Sequence, residues 1–307
     1  MDTTIVNIKQ HDGYETRLFC YKTLNNPVYG NILILHGMAE HHKRYLDFIR
    51  VLLQEGFDVY TYDHRGHGTD KKLSDLGHIA DKNGATLLVE DSNTVYQYVK
   101  QYGRSEKTAV FGHSMGSLIL RGLIQTNDKM DCALVSSTTM PPISISRTGM
   151  FISNLICLFG NTRKHSPFLQ KLLFGSKEYT SLCTRTSYDW LTRNNTIVGK
   201  YIDDPYCGFL CTSAFYRDLV TLTVRATKKN NIAKTRKELP LLFLAGTRDP
   251  VGGYASQVQR LHSRFTALGF QNTELKLYPE ARHELLNELN ADEIYQDIIS
   301  YLHCHLH

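Results

Sequence analysis

The chain interleaves short apolar runs with stretches whose apolar residues recur every three or four positions. Asn31-Ile-Leu-Ile-Leu-His36 is almost continuously apolar, the signature of a strand covered on both faces. Arg44 to Gln54 then puts Leu46, Ile49, Leu52 and Leu53 on one helical face, and Gly56 ends the pattern. Phe57 to Tyr62 predicts the next strand, which runs into Asp63-His64-Arg65-Gly66-His67-Gly68, a loop with two turn glycines. Thr16 to Lys22 reads as an earlier strand. Thr86 to Tyr102 predicts a helix through Leu87, Leu88, Val95, Tyr98 and Val99. A strand at Thr108 to Phe111, a helix from Met115 to about Thr126 and a strand at Cys132 to Val135 follow.

After Val135 this rhythm breaks until about Thr212. It resumes with a helix over Ala214 to Thr227, a strand over Leu241 to Ala245, a helix over Tyr254 to Leu268, a strand over Thr273 to Tyr278 and a terminal helix from Ala291 to about Leu302. Strands alternating with helices predict the α/β class with a doubly wound, mostly parallel sheet. The expected division is a core of residues 1–138 and 212–307 with a helical cap, 139–211, inserted between them. Inside the cap, Met150 to Phe159 and Phe168 to Phe174 predict short apolar helices, and the only tryptophan, Trp190, stands near Tyr188 and Leu191. The residues Met150, Phe151, Leu155, Ile156, Leu158 and Phe159 either line an apolar pocket or pack the cap onto the core, packing being the ordinary role for most of them.

The candidate chemistry sits where predicted strands end. Gly112-His113-Ser114-Met115-Gly116 has glycines on both sides of a serine, between an apolar strand and a helical sequence. That context suits a sharp turn that lifts the serine above the sheet at a helix N-terminus. A serine hydroxyl is a weak nucleophile at neutral pH, so it needs a base, and the base needs an orienting carboxylate. Asp249 follows the strand ending at Ala245, and His283 follows the strand ending at Tyr278. Singly, such an Asp is usually a turn residue and such a His a surface or satisfied core group. Together, and in the order Ser, Asp, His, they predict a catalytic triad of Ser114, Asp249 and His283. Backbone amides of Met38 and Met115 are the expected oxyanion donors, with His36, Gly37, Gly112 and Gly116 shaping the loops that carry them, and Glu40 expected to help shape the first of these loops.

Composition narrows the alternatives. At 307 residues, 42% apolar and 21% charged, the chain is an ordinary globular one. Met1 to Gln10 has no charged segment followed by an apolar run, and Met150 to Phe159 is too short to span a bilayer, so neither a secretory signal nor a membrane span is expected. Seven scattered cysteines point to reduced thiols and a cytoplasmic setting, and Cys207 with Cys211 lacks the second pair a zinc site needs. The net charge of +5 concentrates in Arg225 to Lys237, whose ordinary reading is a solvated helix end and loop, and whose alternative is a transient contact with an anionic membrane surface. No interleaved aromatics accompany it, which argues against nucleic acid.

Fourteen histidines raise a metallohydrolase as a rival, yet His36 and His41 are spaced wrongly for a zinc helix and start on a strand. The terminal His303, Cys304, His305 and His307 read as a frayed helix end, with adventitious metal binding the alternative. Neither metal nor organic cofactor is expected. A catalytically inert binding protein on the same fold is the other rival.

The segments His36 to His41, Asp63 to Gly68, Gly112 to Gly116, Gly246 to Asp249 and His283 together resemble the monoacylglycerol lipase and lysophospholipase branch of the α/β hydrolases, a likeness shared with the serine aminopeptidase grouping. The resemblance implies the α/β-hydrolase fold, a cap over the active site, an apolar acyl tunnel, and a substrate with one fatty acyl chain on a glycerol or glycerophosphate head. It leaves ester and amide substrates both open. Asp203 to Phe209 resembles the cap exit of this branch. Ser117 stands where relatives often have a second glycine after Gly116.

Overall fold

A computed structural model describes residues 3–306. Eight strands form one sheet in the order β1-β2-β4-β3-β5-β6-β7-β8. They are β1 (Thr3–Lys9), β2 (Glu15–Tyr21), β3 (Gly30–Leu35), β4 (Phe57–Tyr62), β5 (Thr108–His113), β6 (Cys132–Ser136), β7 (Leu241–Gly246) and β8 (Thr273–Tyr278). β1 pairs with β2, and β2 with β4, antiparallel, whereas β3 to β8 pair in parallel. The chain therefore winds outward from β3 in one direction to β4 and in the other to β5, and the crevice beyond the strand ends at this reversal is where such sheets bind ligands.

Eleven helices accompany the sheet among the described residues. They are α1 (Leu46–Gln54), α2 (Gly84–Tyr102), α3 (Met115–Leu123), α4 (Ile143–Phe159), α5 (Pro167–Phe174), α6 (Lys177–Thr180), α7 (Asn195–Asp203), α8 (Ser213–Thr227), α9 (Lys229–Ile232), α10 (Ser256–Ala267) and α11 (Ala291–Leu306). Alternation along the strands divides the core in two. Leu33, Leu35, Val110, Phe243 and Ala245 face α2, α3, α8 and α10, while Ile32, Ile34, Phe111, Leu242 and Leu244 face α1 and α11. Each such leucine or isoleucine, fully buried, contributes roughly 1.5–3 kcal/mol of apolar transfer free energy. The central strands β3 to β7 are mostly apolar on both faces for this reason, and Asn31, Asp58 and Thr61, polar residues buried in them, are hydrogen-bonded.

The helix expected from Arg44 begins instead as a 3-10 turn at His42–Tyr45, and α1 proper starts at Leu46. Helix α11 runs on to Leu306, where the side chain packs against Gly30. His303 and Cys304 thus belong to a regular helix rather than a frayed end, and His307 lies outside the described residues. The basic run is also more ordered than a solvated loop. Ile232 and Thr235 are buried in it, Arg236 donates to Met130 O at 2.7 Å, and Lys237 lies over the Phe270 ring.

Between β6 and α8 the chain builds α4 to α7 and no strand of the sheet. The Ser166 side chain caps α5 and the Asn194 side chain caps α7 by accepting first-turn amides. Four of the six apolar residues singled out in α4, namely Phe151, Leu155, Leu158 and Phe159, are exposed rather than packed on the core or lining a pocket. No helix among the described residues is long and apolar enough to cross a membrane.

Candidate active site

Ser114 sits between β5 and α3 with φ 52° and ψ −118°, a backbone state that L residues rarely adopt. Its neighbours explain how the turn fits. A Cβ on Gly112 would come within 2.5 Å of Gly116 O, and one on Gly116 within 2.1 Å of Leu35 O. Both glycines are required because α3 starts in contact with the ends of β3 and β5. Ser117 Oγ donates to Ser114 O at 2.5 Å, so the position where a second glycine is often found instead ties down the turn.

The three residues expected to act together do meet. His283 Nε2 lies 2.9 Å from Ser114 Oγ, and His283 Nδ1 lies 3.0 and 3.1 Å from the two Asp249 oxygens. Asp249 is fully buried and its Oδ1 also accepts from Val251 N at 2.9 Å. That environment suits a charged carboxylate, which places the His283 proton on Nδ1 and leaves Nε2 free to accept from the serine. Burial pushes the His283 pKa down, but the adjacent Asp249 charge and its hydrogen bond outweigh it and hold the imidazole above its ordinary 6.5. Ser137 Oγ donates to His283 O at 2.6 Å and fixes the loop from behind.

Ser114 and His283 open on a cavity of about 720 Å³ that Gly37, Met38 and Met115 also line. Neither the Met38 nor the Met115 amide donates to another group among the described residues. Met115 is the first residue of α3, where the amide has no intrahelical acceptor. A Cβ on Gly37 would sit 3.2 Å from the Ser114 Cβ and 2.7 Å from Glu40 Oε1, so the loop after β3 can approach the serine only without a side chain there.

Neutral histidines support that loop. His36 Nδ1 donates to Gly37 O at 2.7 Å, while its Nε2 accepts from His64 N at 3.0 Å. His67 Nε2 accepts from Ala39 N at 3.1 Å, which leaves its Nδ1 to donate to Arg65 O. Each histidine needs one unprotonated nitrogen to make these bonds. Burial lowers the pKa of both, His67 to about 3, and lowers that of the neighbouring His64 ring, which lies against His36, as well.

Sequence reasoning missed a charged bridge. Arg44 donates to Glu40 at 2.8 Å and to both oxygens of Glu284 at 2.6 and 2.7 Å. Glu40 accepts Gly37 N at 2.6 Å, and Glu284 follows His283 directly. One guanidinium therefore joins the loop after β3 to the loop that carries the imidazole. Burial alone would raise the Glu40 pKa, yet Arg44 foremost brings it down to about 2. Trp190 is placed by the sequence near Tyr188 and Leu191 but is assigned no role at the site. Its ring centroid is 5.2 Å from that of His283, and it carries contacts to Phe174 and Tyr179 into the wall of the cavity.

The serine aminopeptidase, S33 profile matches residues 26–290. The chain belongs to that family of hydrolases. It is 25% identical to a monoacylglycerol lipase of Mycolicibacterium smegmatis over 284 residues, covering 90% of this chain and 89% of that one. A monoglyceride lipase homolog of Monkeypox virus is 22% identical over 276 residues, 87% of this chain and 86% of the relative. Among solved structures, a thermostable carboxyl esterase of Bacillus coagulans in complex with glycerol superposes with a TM-score of 0.90 and 25% identity over the full length of both chains.

This serine aminopeptidase family member also brings together His41, Asp204 and Cys207, with one potential ligand atom from each lying within 4.8 Å of the others. His41 Nε2 is bonded to Asp204 at 2.9 Å, and burial pushes the Cys207 thiol well up, whereas a metal needs the thiolate. The trio is better described as a tether. With Gly208 N and Tyr201 Oη both donating to Ala39 O, at 2.9 and 3.1 Å, it fastens the 203–209 segment to the loop after β3.

Proposed function

We propose that the protein is a serine carboxylic ester hydrolase whose preferred substrates carry one fatty acyl chain on a small polar head, as in monoacylglycerols and lysophospholipids. The observation that carries this reading is the unbroken hydrogen-bonded chain from Ser114 through His283 to Asp249 at the wall of a large cavity. In the proposed mechanism Ser114 Oγ attacks the ester carbonyl as His283 Nε2 takes its proton. The Met38 and Met115 amides then hold the oxyanion. The imidazolium gives its proton to the departing alcohol, and the same imidazole activates water to release the acid.

An aminopeptidase must hold its substrate's ammonium group. Of the three glutamates that line the cavity, Glu40 and Glu284, the two near the triad, are both committed to Arg44 and so are poorly placed to do that, and Glu178 stands exposed on α6. A screen of monoacylglycerols, lysophospholipids, aryl esters and aminoacyl amides tests the assignment. Turnover of the amides faster than of the esters would overturn it.

The acyl-binding wall is assigned to Leu172, Leu173 and Phe174 of α5 and to Leu219 and Val220 of α8, which line the cavity. Residues 139–211 serve as the cap in this reading. Each methylene buried there contributes about 0.8 kcal/mol, roughly fourfold in binding. Specificity constants for a series of glycerol monoesters are expected to climb at least tenfold from butyrate to decanoate. A flat series would remove the acyl pocket.

The acidic limb of the pH profile follows from His283. Below its raised pKa the imidazole is protonated and unable to accept from Ser114, so kcat/KM is expected to fall with a midpoint above 6.5. Asp249→Asn removes the charge that opposes burial, and its limb is expected at lower pH, with a loss of roughly 10⁴-fold in kcat. An unchanged midpoint in that variant would show that another group controls the limb.

A transient contact of the cap with a lipid surface fits a lipid substrate. Phe151, Leu158, Phe159 and Phe168 are each more than 60% exposed, and no acidic residue occurs between Asp131 and Glu178. Replacing Leu158 and Phe159 by Ser is expected to lower hydrolysis of vesicle-borne monoacylglycerol several-fold and to leave a dissolved butyrate ester unaffected. Equal effects on both would argue for a structural role instead.

A further inference from the structure

A second concavity, larger than the first at about 1310 Å³, lies on the flank formed by the start of α4, the junction of α8 with α9, and α10. Five cationic side chains line it, Arg147, Lys228, Lys229, Arg260 and Arg264, and no carboxylate does. All five are exposed. None takes part in an ion pair among the described residues, although 23 such pairs occur elsewhere in the chain. Arg260 donates to Met140 O at 3.1 Å and Arg264 to Thr227 O at 3.0 Å, so backbone bonds hold these two side chains on the groove wall while their charges stay uncompensated.

The positive field reaches inward. Arg121 is 1% exposed and donates only to Thr138, Thr139 and Ala226, with Nε unpartnered. Burial foremost, and then the nearby Arg264, bring its pKa down to about 9. A protein that merely needed solubility would intersperse carboxylates among such cations, as this chain does around Asp58 and Asp131. Three guanidinium forks flanked by two ammonium groups match the several oxygens and the multiple charge of a phosphate better than a single carboxylate.

We propose that this groove is a second ligand site, specific for a polyanionic phosphate group and separate from the ester-hydrolysing cavity. The two share a wall, because Pro141 and Pro142 line both. Gln257 reinforces the wall by accepting from Thr139 Oγ1 and Met140 N, at 2.8 and 2.9 Å. A phosphate in the groove therefore lies beside the mouth-forming segment of the catalytic cavity, where it anchors the enzyme next to the substrate's own compartment. The phosphate can come from a lipid headgroup or from a free phosphate compound.

Calorimetry with inorganic pyrophosphate, and co-sedimentation with phosphatidylcholine vesicles with and without 30% phosphatidic acid, test the site in the full-length protein at low salt. The wild type is expected to bind pyrophosphate. The triple variant Arg147→Gln, Lys228→Gln, Lys229→Gln, all at exposed positions, is expected to lose at least tenfold in affinity while hydrolysing a dissolved butyrate ester at the wild-type rate. That ester reports on the catalytic cavity alone, so failure there is distinguishable from failure of the groove. Sedimentation that depends on phosphatidic acid and is displaced by pyrophosphate identifies a headgroup ligand. Pyrophosphate binding without vesicle binding identifies a free phosphate compound. No pyrophosphate binding by the wild type, or equal binding by the triple variant, would overturn the proposal.

Discussion

Ser114→Ala is expected to reduce ester turnover by roughly 10⁴-fold or more, with unfolding by heat unchanged or slightly delayed. The loss is large in the proposed mechanism because the variant keeps the proposed oxyanion donors and the cavity but has no atom to form the acyl-enzyme. It should also lose covalent labelling by a fluorophosphonate, which reports on the nucleophile independently of any substrate choice. Alanine removes only a hydroxyl whose partner, His283 Nε2, can turn to water in the open cavity. The strained backbone at φ 52° is unaffected, since serine and alanine carry the same Cβ. Activity within tenfold of wild type would mean that another residue attacks the ester, and the mechanism above would have to be abandoned.

What the sequence discloses and what it hides follow from the range of the forces involved. Strand β4 has the bounds expected from its apolar and β-branched run, and β3, β5, β6 and β7 differ by a residue or two, because burial on both faces leaves a local composition. Edge strand β8, only partly buried, is legible instead from its alternation of Leu275 and Leu277 with Glu274 and Lys276. The glycines around Ser114 are legible because they recur at fixed spacing about the serine: at Gly112 a side chain would strike Gly116 O within the turn itself, and at Gly116 it would strike Leu35 O of the neighbouring strand. Edge strand β1 was not recognised, since only Ile8 of its seven residues is buried and no clear alternation results. Helix α7 carried readable signals in Asn194, whose side chain accepts from two first-turn amides, and in Ile197, Val198, Tyr201 and Ile202 at helical spacing, but it is only nine residues long and lies where the alternation of strands and helices breaks. The bridge from Glu40 through Arg44 to Glu284 spans 240 positions between its last two members, and nothing in the local pattern of a single sequence pairs them. The apolar residues of α4 misled in another way. Periodicity records that a face is apolar, and it does not record whether protein or solvent lies against that face.

Acidification is expected to unfold the protein steeply, beginning before its carboxylates titrate. His36, His64, His67 and His113 are all buried, and burial lowers the pKa of each, to about 3 for His67 and about 4 for His113. Below about pH 6.5 the unfolded chain takes up protons at these four positions while the native state does not. A depressed histidine pKa therefore contributes stability that is present above 6.5 and lost as pH falls. His64, His67 and His113 together lose about 4 kcal/mol per pH unit once the unfolded forms are protonated, and His36 acts in the same direction, against a typical total of about 5–15 kcal/mol. His283 runs in the opposite sense: its raised pKa favours the native state fully below 6.5, and that contribution fades only as pH rises through the folded value, so it does not add to the acid slope. Glu40, held to about 2, contributes in full above its unfolded value of about 4.5 and loses that contribution as pH falls from there toward 2, so it adds no slope between pH 7.5 and 5. Thermal unfolding followed between pH 7.5 and 5 should show Tm dropping by roughly 10 °C per unit at the acid end, with three to four protons taken up on unfolding. A Tm constant to within a few degrees across that range would mean that these rings accept protons in the folded state, and the neutral hydrogen-bonding pattern that supports the loop after β3 would be wrong.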